Sequence, residues 1–437
     1  EQTTCFRVEN WALGERYQHM IFTSSDHVVF NVKTINSAVT KVPLVLDYSS
    51  STVGVTVDLS DSPKRGAIHH PGFDQVATVS DSQHDDHIVG NDQSNFLSCT
   101  GGSDYLQGAK GSDNYVVKET CQKVKINNYD RREKVDLLLL DEDFENLKLT
   151  RSKEDLQVKS NLGALVVVLY HWFRDTSYRH LWIRTKDGIT NELDGDALAL
   201  HPVEISKDPK ECQVKQSTCL RRVVPYDLSK SPWTKVTRFQ LQSSYCSYRI
   251  KGNDLNNYID PGSGNGYNYQ LLEGKDGADT YVLKHGYGEF NEIDNFAKDK
   301  KTDTLQLGLE LHDIHFYFHG ENDVILASKY RPSSLSVRIL NYFQSARHQH
   351  LQVITSDNVA FEIQRKYPFM KVLSVDLSLA NSPIAISPDE DRVLSTAQSM
   401  QGSLTQKNSL TGTKETKEIR GGAEIDTLRG GSSKNII

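Results

Sequence analysis

Between Asp85 and Val117 the chain reads DDHIVGNDQSNFLSCTGGSDYLQGAKGSDNYVV, and one register of nine residues runs through it. Asp86, Asn95, Asp104 and Asp113 succeed one another at that interval, and two residues after each stands Ile88, Leu97, Leu106 or Tyr115. Turn-forming residues fill the approach to each polar residue: Gly90-Asn91, Gly101-Gly102-Ser103, Gly108 and Gly111-Ser112. This is the arithmetic of a coil in which a six-residue turn feeds a short strand with one inward apolar residue. Glycine serves where the turn needs positive φ or close backbone approach. The acid or amide that ends each turn sits where carbonyl oxygens also converge, an all-oxygen setting that suits a hard cation.

A longer repeat encloses this register. FRVENWALGERYQHMIFTSSDHVVFNV, from Phe6 to Val32, returns without gaps as VVVLYHWFRDTSYRHLWIRTKDGITNEL ending at Leu193, and as VRILNYFQSARHQHLQVITSDNVAFEI from Val337. Trp11, Trp172 and Tyr342 are followed at equal offsets by His19, His180 and His350, and then by Asp26, Asp187 and Asp357. The segment alternates like a hairpin of two strands bent at Ala12-Leu13-Gly14 and its equivalents. Its ungapped recurrence points to packing or hydrogen bonding for the histidines rather than catalysis, and to a core place for the aromatic residues rather than sugar stacking.

Trp11 and Trp172 lie 161 residues apart, Trp172 and Tyr342 170 apart, and Asp113-Asn114-Tyr115-Val116 recurs 166 residues later as Asp279-Thr280-Tyr281-Val282. A third start appears at Ile419-Arg420-Gly421-Gly422-Ala423-Glu424-Ile425-Asp426. The expected fold is therefore all-β, a tandem array of nonapeptide-coil modules, each followed by a hairpin-type segment, in units of roughly 165 residues. The expected segments are 1–45, the cap of a preceding unit; 46–195, a roll with its cap; 196–247, a cysteine-containing connector; 248–365, a degenerate roll with its cap; 366–418, a partly flexible connector; and 419–437, the start of a third roll. On this reading the sequence is part of a longer protein.

The second roll reads as the poorer copy. Asn257 holds the ligand place in one good nonad, but Gly266 stands where the next acid is due and Gln270 precedes Asp279. The apolar ladder Ile259, Leu272 and Tyr281 persists, and one site around Asp279, helped by Asp276 or carbonyls, is expected.

The nonads resemble the haemolysin-type calcium-binding (RTX) repeats of secreted proteins, with consensus GGxGxDxUx, and the longer segment resembles the NWF…DG cap that follows such rolls. GGSDYLQ and GAKGSDNYV come nearest the consensus. The resemblance implies a parallel β-roll with calcium held between turns on the same edge, two nonads apart. Asp86 then shares an ion with Asp104, and Asn95 shares a weaker one with Asp113. Asn257, Asp279 and Asp426 complete the expected metal ligands, with Ca2+ the expected cofactor and no catalytic residue expected.

Lys and Arg number 50 against 57 Asp and Glu, a formal charge of −7, which leaves no basic footprint for nucleic acid. No apolar run reaches the roughly 18 residues of a membrane span. Six cysteines occur without a CxxC pair, so a zinc ribbon is excluded and an oxidising, extracellular compartment is expected. Cys99 with Cys121 and Cys212 with Cys219 are the candidate bridges, with free buried thiols as the alternative. Signatures such as GxSxG, HExxH and the P-loop are missing from the sequence. The expected function is a secreted, calcium-stabilised repeat region without catalysis. The alternatives are a structural or adhesive array, contacting cell-surface or matrix components and carrying vestigial sites, or the repeat region of a toxin.

Overall fold

Successive strands alternate between two sheets, so that each pairs in parallel with the next strand but one. The computed structural model describes residues 21–23, 28–35, 38–60, 66–68, 76–131, 134–163, 165–207, 223–241, 246–263, 269–378, 384–386, 394–422 and 425–430. The chain divides into two units, Glu1–His201 and Pro202–Ile437.

In the first unit, one sheet stacks Thr78–Ser80, Phe96–Cys99, Asn114–Val117, Asp136–Leu140 and Leu181–Arg184 in parallel. The other stacks Thr56–Asp58, His87–Val89, Ser103–Gln107, Lys123–Asn127 and Val166–Leu169. Alternate residues of each strand point inward, because side chains alternate across a strand. In register these form the ladders Leu97, Tyr115, Leu138, Ile183 and Ile88, Leu106, Ile126, Leu169, all at most 1% exposed. At about 1.5–3 kcal/mol for each such side chain removed from water, the ladders hold the two sheets face to face.

The second unit repeats the plan. Arg238–Gln240, Tyr258–Asp260, Thr280–Leu283, Asp303–Leu307 and Leu351–Thr355 form one parallel stack. Val223–Asp227, Ser247–Lys251, Gln270–Glu273, Gly288–Asp294 and Leu335–Leu340 form the other. The all-β parallel roll is thus the fold of both units. Coils begin at Ala199–Ile205 and Val223–Asp227, within the stretch expected to be a connector. They also resume at Met370–Asp376 and Ser399–Gln401, in the segment expected to be a partly flexible connector, and continue at Glu418–Arg420, where a third roll was expected to start. Ser, Thr and Gln dominate there, but Met400, Leu410 and Ile419 still fill the inward places.

The cap differs in one respect from its sequence reading. Val166–Leu169 and Leu181–Arg184 are not paired with each other; they are the last coil of the two sheets. The hairpin comes one strand later, Leu181–Arg184 against Ile189–Asp194 and Leu351–Thr355 against Val359–Ile363. Its turn is closed by Gly188 (φ 80°) in one copy and Asn358 (φ 58°) in the other, so Asn serves as the left-handed residue that the DG turn needs. Ile21–Thr23 and Val28–Ile35 form the matching hairpin of the first copy, whose Trp11, His19 and Asp26 lie outside the described residues. Trp172 and Tyr342 are buried, as core residues should be.

An antiparallel pair missed by the sequence reading extends each unit: Leu147–Ser152 with Asp155–Ser160, and Ile314–His319 with Asp323–Ser328. Short 3-10 turns at Phe144–Asn146 and Leu311–Asp313 lead into them. The hairpin-turn acids reach these turns, Asp187 accepting from the Phe144 N–H and Asp357 from the Leu311 N–H.

Candidate metal centre

Each polar residue at a ligand place bonds to the turn stacked on the same edge. Oδ1 of Asp104 accepts the N–H of Asp86 at 2.8 Å, and Oδ1 of Asp113 accepts the N–H of Asn95 at 2.8 Å. The structure therefore brings together the pairs that the sequence register matched. The same bond continues from the Asp113 N–H to Asp136 at 2.7 Å. In the second unit it runs from Asn257 to Asp279 and from Asp279 to Asp303, each at 2.7 Å. Asn408 and Asp426 repeat it at 2.8 Å. The result is ladders of polar side chains, Asp86–Asp104 and Asn95–Asp113–Asp136 on separate edges of the first roll and Asn257–Asp279–Asp303 in the second.

What differs between rungs is the second side-chain oxygen. At Asp86, Asn95, Asn257 and Asp426 one oxygen also accepts the N–H of the residue four places earlier: Ser82, Asn91, Asn253 or Gly422. Asp104, Asp113 and Asp279 lack this bond, and their Oδ2 atoms are buried without a partner. A buried oxygen left unmatched costs about 1–3 kcal/mol, and a charged one more. Burial accordingly pushes the Asp104 carboxyl up to about 8, and those of Asp113 and Asp279 up to about 7. These three oxygens ask for a proton or a cation.

Glycine shapes the turns around them. A Cβ on Gly108 would stand 2.0 Å from Oδ2 of Asp113, and one on Gly274 2.2 Å from Oδ2 of Asp279. The carboxylate folds back over the glycine five residues before it, and a phenol joins it there. Tyr115 accepts from the Gly108 N–H at 3.0 Å, as Tyr281 accepts from that of Gly274 at 2.9 Å. The second roll has thus kept one acid-closed turn with the geometry of the first. Asp276, expected to assist Asp279, instead accepts the N–H of Lys298 at 2.6 Å.

Within the period of nine, two turns break the glycine pattern, with Asp81 and Cys99 five residues before Asp86 and Asp104. That break was the available signal for Asp81, which the sequence reading passed over. Asp81, Asp86 and Asp104 are buried, and one carboxylate oxygen from each lies within 4.8 Å of the others. Ser98 and Thr100 bond Asp81, and burial raises its pKa. Three desolvated carboxylates this close repel one another unless a cation or protons intervene. Cys99 forms a disulfide with Cys121 across the coil beside Asp104, so these cysteines are bridged, not free. Cys212 and Cys219 lie outside the described residues.

The carboxylate ladders end on histidine. Nδ1 of His180 lies 3.2 Å from Asp136 and Nε2 lies 2.9 Å from the Ser177 carbonyl. Nδ1 also lies 3.2 Å from Nδ2 of Asn128, so it meets both a carboxylate and an amide, while Nε2 meets the carbonyl. Burial lowers the imidazole's pKa, but the hydrogen bond and charge of Asp136 outweigh it and raise the value overall.

Neither a protein-family model nor a curated protein matches the sequence. Among solved structures, the crystal structure of extracellular lipase LipA from Serratia marcescens matches at 12% identity, covering 67% of this chain and 41% of that one, with a TM-score of 0.20. This chain thus spans less than half of that protein. The matched protein is an enzyme, and the expectation of a segment without catalysis is withdrawn. At that TM-score the likeness carries neither a site nor an activity to this chain. Among the described residues no helix is long and apolar enough to cross a membrane.

Proposed function

We infer that this chain is a calcium-binding β-roll region of an extracellular protein, of the haemolysin-type repeat class that its nonads resemble. The observation that carries the reading is the set of three buried carboxylate oxygens, on Asp104, Asp113 and Asp279, each without a protein donor and each at a ladder place. The donor set fits a hard cation, being all oxygen. Asp81, Asp86 and Asp104 would hold one ion, with Asp113 and Asp279 each closing a further turn. A divalent ion there supplies positive charge that offsets carboxylate desolvation, and its binding energy becomes folding energy. The disulfide agrees with an oxidising compartment.

A mainly structural or adhesive role, with contacts to cell-surface or matrix components, is the second reading. It draws support from turns closed by asparagine instead of aspartate. Calorimetric titration of the full chain with calcium separates the two: heat with a defined stoichiometry, lost in Asp104→Asn/Asp113→Asn/Asp279→Asn, is expected. No heat in the wild type would leave the structural reading.

A further inference from the structure

The turn ending at Asn95 and the turn ending at Asn257 are superposable in their bonding. Nδ2 of Asn95 donates to the Val76 carbonyl at 3.2 Å and to Oδ1 of Asn91 at 3.1 Å, while Nδ2 of Asn91 reaches the same carbonyl at 3.0 Å. In the second unit, Nδ2 of Asn257 donates to the Val236 carbonyl at 3.0 Å and to Oδ1 of Asn253 at 3.0 Å, and Asn253 reaches that carbonyl at 2.9 Å. All four side chains are buried. The amide orientation is fixed by its surroundings, since a flipped Asn95 would set its oxygen against two acceptors. Where the acid-closed turns leave an oxygen without a partner, these turns place an N–H group among convergent oxygens.

We propose that the pairs Asn91–Asn95 and Asn253–Asn257 are built-in substitutes for a cation, holding without an ion the first turn of the ladders Asn95–Asp113–Asp136 and Asn257–Asp279–Asp303. The proposal rests on the acid-closed turns being cation sites, and it reassigns Asn95 and Asn257, which the repeat register places among the ligands. Asparagine and aspartate have nearly the same shape. Replacing the amide by a carboxylate exchanges two donors for a charged acceptor facing the Val76 carbonyl and Oδ1 of Asn91, and only a cation or a proton reconciles these oxygens. The turns ending at Asn95 and Asn257 are then indifferent to calcium, and the acid-closed turns are the calcium-dependent part.

The test compares full-length wild type, Asn95→Asp, Asn257→Asp and Asn95→Ala by thermal melting in chelator and in millimolar calcium, with calcium stoichiometry measured alongside. Each aspartate variant should melt below wild type in chelator, gain more from calcium than wild type does, and bind one additional ion. Asn95→Ala should melt below wild type by the same interval in both conditions. Aspartate variants whose calcium response equals that of wild type, or which fold in neither condition, overturn the proposal. Repair of Asn95→Ala by calcium also overturns it, because the ion was then already held in that turn. A wild type without any calcium response, beside an Asn95→Asp variant that gains one, would sink the calcium reading of the acid-closed turns and leave the amide lock standing.

Discussion

Nδ1 of His350 lies 3.0 Å from Oδ2 of Asp303, at the foot of the ladder that starts at Asn257. Its Nε2 lies 2.8 Å from the Arg347 carbonyl, so the arrangement of His180 with Asp136 is reproduced in the second unit. The cap thus sets a histidine against the last carboxylate, whose hydrogen bond favours the protonated ring. Removing one partner of a buried pair costs about 3–5 kcal/mol, and His350→Ala or His180→Ala should lose stability of that order in denaturant unfolding.

The same histidines give a pH signature. Burial opposes protonation, but the Asp303 hydrogen bond outweighs it and raises the His350 pKa above its ordinary 6.5. A raised folded value means that the contribution is complete below about 6.5 and is lost as pH rises through the folded pKa. The stability gap between wild type and His350→Ala should therefore narrow between mildly acidic and alkaline pH. A gap that stays constant across that range contradicts an imidazolium at this rung.

Calcium binding should compete with protons. The carboxyls of Asp104, at about 8, and of Asp113 and Asp279, at about 7, lie above their ordinary 3.8 in the ion-free fold. Their contribution to ion-free stability is complete below 3.8 and fades as pH rises through 7 to 8. In chelator the protein should accordingly become less stable from acid to pH 8. Calcium should bind more tightly over the same interval, releasing protons as it does. Titrations in buffers of different ionisation heat measure that release directly.

Gly108→Ala and Gly274→Ala should each damage one acid-closed turn. The added carbon would stand 2.0 Å from Asp113 and 2.2 Å from Asp279, closer than real contacts allow. The turn or the carboxylate must move, so each variant should lose one calcium equivalent together with about 1–3 kcal/mol, as overpacking does. Retention of full stoichiometry would show that the carboxylate does not need its place over the glycine.

Cys99 and Cys121 are 22 residues apart, and a bridge over a loop of that size stabilises by about 3 kcal/mol through the unfolded chain. Reduction, or Cys99→Ser/Cys121→Ser, should lower the unfolding midpoint of the first roll. Comparing reduced and oxidised protein by denaturant unfolding checks this.

The rungs legible in the sequence were those that keep the period of nine. Asp86 with Asp104 and Asn95 with Asp113 stand 18 residues apart, and the register alone placed them on common edges. Asp136 and Asp303 do the same work at separations of 23 and 24. They retain the acid followed two residues later by an inward Leu138 or Leu305, but the turns before them have lost the glycines that advertise a coil. The caps were found through their repeated Trp, His and Asp anchors. Their bend was misplaced because alternation of side chains looks alike in a hairpin and in two strands of opposite sheets.

A ladder of this kind needs only one acceptor atom and one N–H to meet on each edge. Steps of 18, 22, 23 and 24 residues all satisfy it, and the strands that follow the rungs stay in parallel register. The outer turns of these rolls are accordingly sites where peptide can be inserted, as tags or as binding loops, without changing what the neighbouring coils meet.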